Sequence, residues 1–177
     1  MKNRLAFAGT VALTLASAGF AYALEASDIV PAASDKLEVF KQVGDWTVHA
    51  DITRGNCLIE RTDDVGNAMQ MGFVKDGSGV YLGVFTKQPL DVKPDQPIEI
   101  AVDGEVYTGE SYGLASGTLS GNYAGGYVVS EDPAFVNAIA EGRELVAFPE
   151  KTGVFIVDLT GTKKAIDEAK LCNKSLK

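Results

Sequence analysis

Few side chains in this sequence are equipped for chemistry. His49, the chain's one histidine, stands two residues before Asp51, and on a strand that spacing puts both on one face. An imidazole beside a carboxylate can serve as a general base. No serine elbow and no cysteine nucleophile is placed to complete such a site, so His49 reads as an ordinary surface histidine. Cys57 and Cys172 are the two cysteines. They can form one bridge or act as two free thiols in redox or metal chemistry, but there is no Cys-x-x-Cys, and one histidine alone cannot complete a zinc site. Asp63, Asp64 and Asn67 offer oxygen ligands of the calcium kind, yet their spacing does not match an EF-hand loop and suits a solvated hairpin turn. No catalytic residue, no metal and no cofactor is therefore expected.

The other candidate is a surface rather than a reactive group. From Ser111 to Ser130 the chain is rich in Gly, Ser and Tyr, and Tyr112, Tyr123 and Tyr127 are its candidate contact residues. Tyrosines on such a frame give broad contact at low entropic cost. The plainer alternative is a pair of short twisted strands whose glycines relieve crowding. No Gly-Lys-Ser/Thr follows, so the stretch is not a phosphate loop.

The elements that must position these residues start with the strand after Gly44-Asp45. Trp46, Val48 and Ala50 alternate with Thr47, His49 and Asp51, the period of a strand buried on one face and wet on the other. This places Trp46 in the core; an exposed indole used as a stacking platform is the alternative.

Met1 to Ala23 has the form of a signal peptide. Lys2 and Arg4 precede an apolar, uncharged run from Leu5 to Ala18, and Ala21-Tyr22-Ala23 suits cleavage before Leu24. An uncleaved anchor is the alternative. No cysteine follows the cleavage point, so no lipid anchor is indicated, and no second apolar run is long enough to span a membrane. The product is expected to be periplasmic or secreted. Cleavage removes two basic residues and no acidic one, which takes the formal net charge from −8 to −10 and disfavours nucleic acid and anionic lipid as partners. In an exported chain, two cysteines most simply make one disulfide, Cys57 to Cys172.

Residues 24–36 read as a flexible leader and residues 37–177 as one β-rich domain. Strands are expected at Leu37 to Lys41, from Trp46, at Cys57 to Arg61, Met69 to Val74 and Val80 to Phe85, the last apolar on both sides and so central. Pro89, Pro94 and Pro97 mark a connection outside the sheet. Ile98 to Val102 and Glu105 to Thr108 flank Asp103-Gly104, which favours a type I′ turn pairing Val102 with Glu105 and Ile100 with Tyr107. Asp132-Pro133 opens a helix that Gly142 closes, with Phe135, Ala138 and Ile139 as its buried stripe. Strands at Glu144 to Phe148 and Gly153 to Leu159 precede a last helix from about Thr160 to Thr162 through Asn173, buried along Ala165, Ile166, Ala169 and Cys172. The fold class is mainly β: an antiparallel two-layer sandwich or flattened barrel with two short helices near the C-terminus.

Gly44-Asp45-Trp46-Thr47-Val48, Pro89-Leu90, the Ile98 to Tyr107 hairpin, Gly142-Arg143-Glu144-Leu145 and Asp158-Leu159-Thr160-Gly161-Thr162-Lys163-Lys164-Ala165-Ile166 together resemble the invasion-associated locus B family. The likeness covers nearly all of the chain after the leader. It implies a small exported bacterial protein, linked by name to host-cell invasion and without an established enzymatic activity. Family members often carry a cysteine where this chain has Ala50 and a further pair within the region of Leu114 to Tyr127; without them, Cys57 is left to pair with Cys172. The preferred expectation is thus a non-enzymatic domain with a protein partner at the envelope or outside the cell. A binder or inhibitor of an exported enzyme, using the tyrosine-rich stretch, and an enzyme with an unrecognised site are the alternatives.

Overall fold

The computed structural model describes residues 30–32, 34–74, 79–93, 96–110, 119 and 123–176. Ten strands and two helices occur in it: β1 (Leu37–Val43), β2 (Trp46–Asp51), β3 (Asn56–Thr62), β4 (Asn67–Phe73), β5 (Val80–Thr86), β6 (Pro97–Val102), β7 (Glu105–Glu110), β8 (Ala124–Ser130), α1 (Pro133–Glu141), β9 (Glu144–Ala147), β10 (Phe155–Asp158) and α2 (Thr162–Ser175). The expected strands all form, with boundaries shifted by up to a few residues. The Gly/Tyr-rich stretch supplies one described strand, β8.

All pairings are antiparallel, in the order β1-β2-β3-β4-β5-β8-β7-β6-β9-β10. Among the described residues, β7 meets β8 through the pair Glu110 and Tyr127. At that junction the ladder passes from a six-stranded to a four-stranded sheet, the two layers of a sandwich, with β1 and β10 as its ends.

Alternation explains the layering. On β5, Val80, Leu82 and Val84 enter the main core, while Tyr81 and Phe85 enter a second cluster on the opposite face; every residue of this strand is buried, as a central strand demands. The main core joins Trp46, Val48, Ile59, Met69 and Met71 of the large sheet to Ile98, Ile100, Leu145 and Ala147 of the small one. Ala165, Ile166, Ala169 and Cys172 bring α2 onto it, and Phe135 and Ile139 bring α1. Asp132 caps α1 through a bond from the Ala134 N–H (2.8 Å), with Pro133 in its first turn, so the signal at Asp132-Pro133 acts as its chemistry predicts.

The Asp103-Gly104 turn has positive φ at both residues (47° and 91°), the geometry of a type I′ turn, and Val102 faces Glu105 while Ile100 faces Tyr107. Cys57 and Cys172 form a disulfide with Cα atoms 6.0 Å apart, tying β3 to α2 in the core. Beside it the Cys57 N–H donates to Asn173 Oδ1 (2.7 Å).

Candidate functional site

The second face of the six-stranded sheet holds His49, Asp51, Glu60 and Tyr127. Register places Thr47 opposite Glu60, Glu60 opposite Gln70, Gln70 opposite Gly83, and Gly83 opposite Tyr127, so these residues form one row across five strands. Tyr127 Oη donates to Gln70 Oε1 (3.1 Å), Gln70 Nε2 donates to Glu60 Oε2 (2.5 Å), and Glu60 Oε1 lies 3.8 Å from His49 Nε2 in the next row. Gly83 makes the row possible: a Cβ there would overlap the Tyr127 ring and that of Phe85. Tyr127 packs edge-on against Phe85 (5.0 Å between centroids) and Tyr81 (5.8 Å), and the Tyr81 ring lies across Gly72, where a Cβ would overlap it.

Burial decides the electrostatics. His49 is only 7% exposed, which corrects the surface position expected for it. The reason is that this face is not wet: Leu58, Tyr81, Phe85 and Tyr127 form a second apolar cluster with Val30 and Leu119, against which Leu37 and Tyr123 pack. Desolvation lowers the His49 pKa below its ordinary value, opposed by the nearby Glu60 charge. Desolvation likewise raises Tyr127 and Tyr81 far above the usual phenol range.

Asp51, also on this face, is fully buried. Its Oδ1 accepts the Arg54 N–H (2.9 Å), and Arg54 Nε bonds Asp35 Oδ2 (2.5 Å) while lying 3.9 Å from Asp51 Oδ2. Asp35 Oδ2 also accepts the Ala32 N–H (2.7 Å). The cluster therefore fastens the segment before β1 onto the β2–β3 turn. Burial raises the Asp51 pKa, against the pull of the Arg54 N–H.

Two of the larger cavities lie elsewhere. One of about 290 Å³ is lined by Phe73, Ser130, Asp132, Asn137 and Lys170, and one of about 400 Å³ lies between the β6–β7 turn and α1, lined by Asp103, Glu105 and Glu141. Among the described residues no cluster of three or more His, Cys, Asp or Glu is arranged to hold a metal ion.

The other singled-out residues separate. Asp63 is engaged within its own turn: Oδ1 accepts the N–H groups of Val65 (3.0 Å) and Asn67 (2.8 Å), and Oδ2 accepts Asn67 Nδ2 (2.8 Å). Of the tyrosine contact surface, Tyr112 lies outside the described residues. Tyr123 is half-buried with Lys87 Nζ over its ring at 4.8 Å. Tyr127 must be withdrawn from that surface, because it is fully buried: its position opposite Gly83 turns its ring inward.

A second constellation joins β2 and β3 to the turn before α2. Trp46 is fully buried, in the core as expected, and its Nε1 donates to the Thr160 carbonyl (3.0 Å). Gly161 (φ +84°), at the start of α2, stands against the indole. The Arg61 guanidinium lies 5.9 Å from the Trp46 ring centroid, donates through Nη1 to the Asp158 carbonyl (2.5 Å), and approaches the carboxylates of Asp45 (3.3 Å) and Asp158 (3.7 Å) through Nη2. Gly44-Asp45-Trp46 and Asp158-Leu159-Thr160-Gly161, distant in sequence, thus meet at one corner. Arg61, which links them, carried no signal of its own in the sequence. Gln70 was missed as well; the alternation of Ala68, Gln70 and Gly72 with Met69 and Met71 held the only trace of a polar row.

No protein-family model matches the chain, and neither a curated protein nor a solved structure matches it. Among the described residues, no helix is long and apolar enough to cross a membrane. The disulfide fits an oxidising compartment.

Proposed function

We propose that this chain is an exported, non-enzymatic β-domain of the invasion-associated locus B type, which acts through protein contacts at the bacterial envelope. The observation that carries the reading is the enclosure of His49 and Glu60 in the packed second face, where their side chains are 9% and 12% exposed. Acid–base groups held there support the sheet rather than meet a substrate. The disulfide and the leader from Met1 to Ala23 support export, and the corner built by Asp45, Trp46, Asp158 and Thr160 gives the resemblance-bearing motifs a shared structural purpose. An inhibitory surface built on the tyrosines is less well supported, since Tyr127 is buried.

The test is retention of envelope proteins on the purified chain from Leu24, identified by mass spectrometry after crosslinking. A defined protein, retained equally by the His49→Gln variant, is the expected result. A hydrolytic activity of the pure protein that His49→Gln abolishes would overturn the reading.

A further inference from the structure

The two ends of the ladder are finished differently. β1 carries a bulge between Val39 and Lys41, an ion pair at Lys36–Glu38 (2.7 Å), and Lys41 bonded to Glu168 of α2 (2.7 Å), all devices that discourage a further strand. β10 has no bulge, no proline and no lysine, and it continues Val154 into Phe155-Ile156-Val157, four strong strand formers. Val154 (49% exposed) and Ile156 (59%) stand outside, while Phe155 and Val157 are in the core.

Hydrogen bonding fixes which backbone groups of β10 point away from β9 and are open among the described residues. The Asp103 N–H donates to Glu144 O and the Phe148 N–H to Glu99 O, so the even-numbered residues of β9 face β6. The odd-numbered residues of β9 face β10, in agreement with the bond from the Leu159 N–H to Arg143 O. On β10 the outward groups are therefore those of Ile156 and Asp158. The Asp158 carbonyl is already taken by Arg61 Nη1 of β3, in the other layer, so this edge accepts a side-chain donor.

The edge borders a crevice of about 140 Å³ lined by Arg61, Asp63, Asn67, Ile156, Val157 and Asp158. Asp158 and Asp63 are exposed carboxylates of its lining, and Arg61 is bridged between Asp158 and the exposed Asp45. Two such acidic edges would repel one another in a protein of net charge −8, which disfavours a second copy as the occupant. We propose that β10 accepts an extended segment of a partner protein as an added strand, with an apolar side chain beside Ile156 and a Lys or Arg beside Asp158. This rests on the protein-contact reading above and names the class of partner.

The probe is acetyl-Lys-Thr-Val-Thr-Val-Thr-Lys-amide, with the peptide carrying Glu for Lys as control, titrated into the isotope-labelled chain from Leu24. The basic peptide is expected to move the Ile156 and Asp158 amide resonances and slow exchange at Ile156 by about tenfold or more, the acidic one to do neither. Ile156→Pro removes the outward donor and Ile156→Lys places a charge on the edge; each should abolish the response, and whichever keeps native Trp46 emission carries the test. No response to either peptide, equal responses to both, shifts centred away from β10, or self-association through Ile156 would overturn the proposal. If an envelope partner is still retained by the folded variant, the edge assignment falls while the protein-contact reading stands.

Discussion

Reducing the Cys57–Cys172 bond probes how β3 and α2 are held together. The bridge closes a loop across 115 residues of sequence separation. In the chain-entropy model a loop of that length is worth about 5 kcal/mol, acting on the unfolded ensemble. The folded state keeps its other ties when the bond is cut. Ala165, Ile166 and Ala169 remain buried against the sheet, and Asn173 Oδ1 still accepts the Cys57 N–H. The reduced protein should therefore fold to the same structure with most of that stabilisation lost, out of a total of about 5–15 kcal/mol typical of a domain. At roughly 2–4 °C per kcal/mol for a chain of this size, the melting temperature should fall by about 10–20 °C. Trp46 is the built-in reporter, since its indole bonds Thr160 and faces Gly161 where α2 begins. The assay is Trp46 emission through thermal and urea unfolding, with and without reductant, reduction being verified by mass after thiol alkylation. A fall of less than about 5 °C in fully reduced protein would refute the account, because cross-linking would then contribute little beyond the packing of α2. Free thiols in the oxidised, native protein would refute the pairing itself.

Three further outcomes follow from the second face. Gly83→Ala should destabilise by about 1–3 kcal/mol in urea unfolding, since its methyl would overlap the Tyr127 and Phe85 rings. Tyr127→Phe removes the buried hydrogen bond to Gln70 Oε1 and should cost about 0.5–1.5 kcal/mol, whereas Tyr123→Phe should stay within about 0.5 kcal/mol by the same measurement. The lowered His49 pKa makes the unfolded state bind the proton first as pH drops through 6.5. Its contribution is then fully present above that pH and is lost below it, until the folded pKa is reached. Asp51, with a raised pKa, acts in the opposite sense: its protonated form favours the folded state, an advantage complete below 3.8 and lost as pH rises through the folded value. Urea unfolding from pH 5 to 8 should show the His49 loss, which His49→Gln should remove, and the Asp51 slope should set in as pH rises from 3.8.

Local signals made much of the fold legible. The alternation at Trp46, Val48 and Ala50 gave the core face of β2, and Asp103-Gly104 gave both the turn and its register, because each depends on neighbours in sequence. The polar row was not legible for the opposite reason. Thr47, His49 and Asp51 alternate like a wet face, and what buries His49 and Asp51 is a cluster assembled from Leu58, Phe85, Tyr127 and the distant Val30 and Leu119. Periodicity tells which residues share a face; it does not tell what covers that face. Tyr127 was misplaced on the same account, since only the register between β5 and β8 brings it opposite Gly83.

The corner at Trp46 bears on where function should be sought. Its residues are the most recognisable in the chain, and each has a packing or bonding duty: Trp46 to the Thr160 carbonyl, Arg61 across Asp45 and Asp158, Gly161 in the left-handed conformation against the indole. The left-handed conformation favours glycine at 161, and a buried indole N–H requires an acceptor, so the fold alone accounts for both. Motifs of that kind identify an architecture and leave the binding surface open. Arg61 nevertheless reaches from the corner to the Asp158 carbonyl on the free edge of β10. A strand added at that edge would compete with Arg61 for the carbonyl. Engagement of a partner should therefore be felt at Trp46, and a change in its emission on peptide addition, absent in Arg61→Ala, would connect the buried motif to the exposed edge.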